Sequence, residues 1–251
     1  MKDNVSKSIH DLFERIRKAR YFTVFTGAGI STLSGVRDFR GKNGLYKEKD
    51  ADKIFDISYF EKDPSYFYRA TGSLIYNLDE KEPSIVHTVL GELENRSYVK
   101  ALITQNIDLL HQKGGSKRVI ELHGSPRTHY CLRCAGIYMS FEHVAALVKQ
   151  GEFPQCPKCG RILKPAITFF GESLPIEALR EATEEARKTD LMLILGTSLQ
   201  VFPAASLPQY TLNFGGEIII VNNMPTPLDN RAILHFDDLG EVFEGLKSLL
   251  E

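Results

Sequence analysis

Five short runs of consecutive apolar or β-branched residues, at 21–26, 101–104, 119–122, 191–195 and 217–221, are spread along the chain with helical patterns between several of them. Runs that are apolar on consecutive residues suit strands covered on both faces, so the alternation predicts an α/β fold with a parallel, doubly wound sheet. Ahead of the first run, Val5, Ile9, Leu12, Phe13 and Ile16 recur at helical spacing, which predicts an amphipathic helix ending near Arg20. A chain of 251 residues can remove roughly 70 to 75% of its unfolded surface from water, so the main fold needs neither disulfides nor a metal.

Two stretches break the rhythm. Residues 43–85 are dense in Tyr, Phe, Lys and Asp without strand signals, and residues 127–164 hold all four cysteines. With no long linker or repeat, they are expected to pack together as a small lobe. Residues 1–42, 86–126 and 165–251 then form the large domain, and the cleft between lobes is the first place to look for a site.

Cys131 and Cys134 form one C-x-x-C pair and Cys156 and Cys159 a second. Two such pairs suit four thiolates around a tetrahedral zinc ion, with no position left for a reactive water, so the site is expected to be structural. A redox dithiol and two disulfides are the rival readings. His129 could replace one cysteine, although four thiolates make it dispensable.

The first strand runs into Gly27-Ala28-Gly29-Ile30-Ser31-Thr32, where a dinucleotide fold places its phosphate turn before a helix. The third glycine of the usual fingerprint is absent, and a turn needing glycine for backbone reasons alone fits equally well. Other predicted strand ends carry Gly196-Thr197-Ser198 and Asn222-Asn223, which suit ribose hydroxyls. Asp38-Phe39-Arg40-Gly41 follows the glycine turn, Gln105-Asn106-Ile107-Asp108 ends another strand, and His123-Gly124 a third. Singly, Asp38 and Arg40 read as a surface ion pair, Asn106 and Asp108 as a helix cap, and His123 as a loop histidine. Jointly they converge where open α/β sheets bind ligands.

With 31 basic and 32 acidic residues the formal charge is -1, so no global field draws the chain to nucleic acid or to an anionic membrane. No apolar run approaches membrane-span length, and the charged N-terminus does not read as a secretory signal, so a cytoplasmic location is expected.

Taken in order, these motifs, with Phe169-Phe170-Gly171-Glu172, resemble the sirtuin family of NAD-dependent protein deacylases over essentially the whole chain. The resemblance implies a Rossmann-like large domain and a small lobe made of a zinc-ribbon module and a helical module. It also implies NAD as co-substrate, one structural zinc ion, and acetylated proteins bound in an extended conformation. Under it, Gly27, Ala28, Gly29, Thr32, Asp38, Phe39, Arg40, Gly196, Thr197, Ser198, Asn222, Asn223, Asp238 and Leu239 line the NAD site. Gln105, Asn106, Ile107 and Asp108 hold the nicotinamide ribose and carboxamide. His123 is the general base, with Asn106 beside it as a second catalytic residue. The acyl-lysine is expected to pair its backbone with segments near Gly171-Glu172 and Val201-Phe202, with Thr168, Phe170 and Val201 around its stem. The products are deacylated lysine, nicotinamide and O-acyl-ADP-ribose.

The chain departs from the family pattern at Arg37, where many relatives have proline, and at Ala166 and Thr168, where Asn and Val are common. Relatives that prefer acidic acyl groups carry Tyr-x-x-Arg; matching it to Tyr68-Arg69-Ala70-Thr71 leaves no arginine in fourth place and implies acetyl over succinyl, whose carboxylate would be buried unpaired. The alternatives are a mono-ADP-ribosyltransferase, a deacylase preferring longer apolar acyl groups, and a zinc-ribbon binding module without chemistry.

Overall fold

The computed structural model describes residues 2–38, 44, 51–72 and 74–251. Five strands of a six-stranded parallel sheet form where the apolar runs lie: β1 (Phe22–Thr26), β2 (Val99–Thr104), β3 (Val119–Glu121), β7 (Leu191–Leu195) and β8 (Glu217–Val221). The sixth, β9 (Leu234–Phe236), completes the order β3-β2-β1-β7-β8-β9. Val24 stands opposite Leu102 on one side and Leu193 on the other. The strand order turns back between β1 and β7, which makes their carboxyl ends the switch point of a Rossmann-like sheet.

Continuous apolar runs are needed because both faces are covered. Phe22, Val24, Leu193, Ile219 and Val221 meet α1 (Lys2–Lys18), α4 (Ile85–Asn95) and α9 (Leu239–Leu250) through Leu12, Ile16, Leu90, Phe243 and Leu246. The intervening Phe25, Met192, Ile194, Ile218 and Ile220 meet α7 (Ile176–Lys188) and α8 (Leu207–Asn213) through Ala182, Ala186 and Leu207. Truncating one such core leucine to alanine costs about 2 to 5 kcal/mol. Among the described residues, no helix is long and apolar enough to cross a membrane.

The remaining strands, β4 (Gly124–Cys131), β5 (Gly136–Ser140) and β6 (Lys164–Ile167), form a separate antiparallel sheet in the order β5-β4-β6. Beside it lie α2 (Ile57–Lys62), α3 (Pro64–Thr71) and α6 (Phe141–Lys149), while the short α5 (Leu110–Lys113) follows β2. Phe55, Phe60 and Phe67 gather around Phe169 with ring centroids 5.1 to 5.9 Å apart. Tyr76 stacks between Tyr68 and Phe141. The two cysteine-flanked and aromatic-rich stretches therefore share one hydrophobic core, and His129 belongs to it: fully buried, with its Nε2 2.8 Å from the Tyr76 hydroxyl.

Candidate active site

A cleft of about 1350 Å³, counting its open mouth, lies over the carboxyl ends of the parallel strands. Residues 27–29, 105–107, His123, 196–198 and 222–223 reach it from the ends of β1, β2, β3, β7 and β8. Residues 167–172 reach it from the small sheet, and Val201 and Phe202 lie at its rim.

The glycine turn is built for close approach. A Cβ on Gly29 would lie 2.7 Å from the Gly196 Cα, and one on Gly27 would lie 2.7 Å from the Thr197 Cβ. Gly196 itself holds φ +57°. The Gly29 N–H donates to the Gly196 carbonyl at 2.8 Å, so the ends of β1 and β7 are locked backbone to backbone. The segment after Gly27 is a 3-10 turn, Ala28–Ser34, ended by Gly35 in the left-handed region, where an α-helix is expected from sequence.

Polar groups at the end of β2 are held by the same turn. Asn106 is buried and its Nδ2 donates to the Gly27 carbonyl at 3.1 Å and to Ser31 Oγ at 3.2 Å, which commits both amide protons and leaves the amide oxygen as its remaining polar atom. Ser31 Oγ donates to Asp108 Oδ2 at 2.6 Å, and Asp108 Oδ1 accepts from the Leu110 N–H. Burial pushes the Asp108 carboxyl up, against the opposing pull of those hydrogen bonds. Gln105 Nε2 donates to Thr197 Oγ1 at 3.0 Å and ties the ends of β2 and β7 together.

His123 follows β3, with its Nδ1 2.8 Å from the Gln105 carbonyl. A carbonyl only accepts, so Nδ1 carries the proton and Nε2 keeps an open lone pair. Burial pushes the imidazole below its ordinary value while the bond to Gln105 opposes it, so the ring is neutral at physiological pH.

On the opposite wall, the Thr168 N–H donates to the His123 carbonyl at 2.8 Å, which ties the turn at Phe169–Glu172 to the base. Phe170 is 45% exposed and lines the cleft together with Thr168, Gly171, Glu172 and Val201. Tyr68 and Thr71 are not here. Tyr68 is buried in the small-lobe core with its hydroxyl donating to the Leu163 carbonyl, and Thr71 donates back to the Phe67 carbonyl. An arginine at position 71 would enter that core, so the match of Tyr68-Arg69-Ala70-Thr71 to Tyr-x-x-Arg does not bear on acidic acyl groups. The cleft wall itself does report: among the described residues lining it there is no lysine or arginine.

The four cysteine Sγ atoms all lie within 4.8 Å of one another, and Cys131 and Cys159 are 3.6 Å apart. Four thiolates at 2.3 Å from a tetrahedral zinc stand about 3.8 Å from each other, so the cluster fits that ion. The Cys134 N–H points at Cys131 Sγ, as in a metal knuckle.

Other expected site residues lie elsewhere. Thr32 turns its hydroxyl to the Gly29 carbonyl and does not line the cleft. Asp108 faces a smaller adjoining cavity with Ser31 and Arg37. Asp238 caps α9 by accepting from the Glu241 N–H, and neither it nor Leu239 reaches the cleft. Phe39 and Arg40 lie outside the described residues. Phe55, Gln200 and Met224 also line the cleft; only fold-level neighbourhood, not residue type, could mark them in the sequence.

A family model described as the Sir2 family matches residues 27–203. An NAD-dependent protein deacetylase of Thermotoga maritima is 43% identical over 227 residues, covering 90% of this chain and 92% of the relative. Among solved structures, a Sir2 complex with a deacetylated p53 peptide and 3'-O-acetyl ADP ribose superposes with a TM-score of 0.89 at 40% identity, covering 96% of this chain and 97% of the other. A Sir2 complex with a p53 peptide and NAD+ gives 0.86 at 39% identity, with the same coverage.

Proposed function

The chain belongs to the Sir2 family, and from that premise we propose that it is an NAD-dependent protein-lysine deacetylase whose chemistry runs in the cleft described above. The observation that carries this reading is the open Nε2 of a neutral, oriented histidine facing a cleft shared by the dinucleotide end of the sheet and the turn at Phe169–Glu172. Overall, acetyl-lysine, NAD and water give lysine, nicotinamide and O-acetyl-ADP-ribose. The acetyl oxygen bonds the ribose carbon as the bond to nicotinamide breaks. A ribose hydroxyl then attacks the acetyl carbon, the bond from that carbon to the lysine amine breaks, and water adds to the same carbon as its bond to the first ribose oxygen breaks, which leaves the acetyl group on the hydroxyl oxygen.

This chain's residues divide that work. His123 Nε2 accepts the hydroxyl proton, a role that suits a ring already neutral at working pH. Asn106 offers its amide oxygen to the ribose, with its orientation set by Gly27 and Ser31. Asp108 takes part through the carboxamide side of the nicotinamide, and Asn222 and Asn223 take the far ribose. Phe170 and Val201 shield the lysine stem, and the peptide backbone pairs with the segments around Gly171 and Val201. Without a described cation in the wall, neutral acyl groups are favoured over acidic ones. Four clustered free thiols suit zinc in a reducing compartment, and the cytoplasm is the proposed location.

The test is nicotinamide release from NAD by the purified protein with and without an acetyl-lysine peptide. Release that requires the peptide supports deacetylation. Release without it, accompanied by a mass gain on protein, would assign ADP-ribosyl transfer instead.

A further inference from the structure

Among the described residues of the small lobe, the charged side chain most completely removed from water is Lys164, which is fully buried. It starts β6, directly after Leu163, which packs on Cys131 and Cys156 in the cysteine knuckle. Its Nζ lies 2.9 Å from Glu172 Oε2, 2.6 Å from the Ile167 carbonyl and 3.3 Å from the Pro165 carbonyl, and 4.0 Å from the centre of the Phe169 ring. An ammonium buried in this way is costly, and it is retained only where its hydrogen bonds are satisfied and its partner is fixed.

The partner is the residue that closes the turn on the cleft. Glu172 Oε2 accepts from the Phe169 N–H at 2.7 Å, while the Glu172 N–H returns to the Phe169 carbonyl at 3.0 Å. Gly171, at φ +90°, completes the reversal. The same turn is pinned to the helical part of the lobe, since the Phe170 N–H donates to the Phe55 carbonyl and the Ile57 N–H to the Phe170 carbonyl. One carboxylate oxygen therefore serves two donors, the turn's own backbone and an ammonium anchored beside the cysteine knuckle.

We propose that Lys164 is a positioning residue for the acyl-lysine substrate: through Glu172 it holds the turn at Phe169–Glu172 in the shape that pairs with the peptide, and so couples the cysteine knuckle to substrate binding. The proposal rests on the deacetylase reading, and it separates this buried pair from the NAD side of the cleft, which Lys164 does not touch.

The experiment measures steady-state kinetics of Lys164→Met, Glu172→Gln and the double variant with an acetyl-lysine peptide, alongside zinc content and circular dichroism. Loss of substrate alignment of this kind weakens productive binding about tenfold or more, so Lys164→Met should raise the peptide KM by that factor with the NAD KM unchanged. Because the two residues act as a unit, the double variant should be no worse than the poorer single variant, instead of showing the product of the two effects. An unchanged peptide KM in folded, zinc-containing Lys164→Met, or multiplicative effects in the double variant, would overturn the proposal. Should Lys164→Met lose zinc, Glu172→Gln is judged by the same peptide-KM criterion. A parent protein that never consumes NAD would instead defeat the deacetylase reading itself.

Discussion

His123 and Gln105 are joined by a 2.8 Å hydrogen bond from the imidazole Nδ1 to the Gln105 carbonyl, which fixes one tautomer and leaves Nε2 open toward the cleft. Burial also holds the ring below its ordinary value of 6.5. A base must be neutral to work, so activity is retained above the folded-state value and lost as pH falls through it. The acid limb of kcat/KM should therefore lie below pH 6.5, and a limb at or above 6.5 would show that burial does not control the ring. His123→Ala should remove that limb and lower kcat by about 10² to 10⁴-fold, the usual contribution of general-base catalysis.

Gly29→Ala tests the contact between the two strand ends. The new Cβ meets the Gly196 Cα and carbonyl at 2.7 and 2.8 Å, backbone atoms that cannot rotate away. Overpacking of this kind costs about 1 to 3 kcal/mol. The variant should melt at lower temperature and show a raised NAD KM, both measurable on the same sample. Parent-like values for both would mean that the turn and β7 can separate without penalty.

Much of the fold was legible because its sheet is covered on both faces: the apolar runs of β1, β2, β7 and β8 leave no other reading. β9 was not, since Leu234-His235-Phe236 is three residues long with an exposed centre. Nor was β4, which carries Pro126 and mostly polar residues and pairs with β5 and β6. At the site, the glycine and hydroxyl clusters stand at strand ends and line the cleft, where an open sheet leaves backbone unpaired. Asp238, which only the family resemblance places at the NAD site, accepts from the Glu241 N–H at the start of α9, a contact that the residue type alone does not distinguish from a ribose ligand. Tyr68 shows another, since helical spacing does not say which face meets a second lobe. Lys164 gave no signal at all, because lysine is ordinarily an exposed residue.

Cys156→Ser should release zinc and loosen the small lobe while leaving the parallel sheet, which has its own two-faced core, intact. A colorimetric zinc assay and far-ultraviolet circular dichroism check both halves. A variant that still holds one zinc per chain would defeat the four-thiolate assignment made from the cysteine cluster.

Stability should decline in mild acid for a reason unconnected with carboxylates. His87 and His129 are fully buried, and burial pushes them down to about 4 and about 3. With folded values below the unfolded 6.5, the unfolded chain binds the extra protons first, so stability is full above pH 6.5 and is lost progressively as pH falls toward 4 and then 3. Each histidine accounts for several kcal/mol on this scale, about 3 kcal/mol for His87. Urea midpoints should fall steadily below pH 6.5, and His87→Gln should flatten that decline. Midpoints level between pH 6.5 and 4.5 would contradict the burial argument.

The most direct test of deacetylation is the mass balance of one reaction. The protein, NAD and a singly acetylated peptide are incubated together, and peptide, nicotinamide and sugar products are quantified by mass spectrometry. Each acetyl group lost from the peptide should appear on ADP-ribose, with one nicotinamide released per event. Acetyl lost as free acetate without NAD consumption, or NAD converted to its reduced form with absorbance at 340 nm, would contradict it.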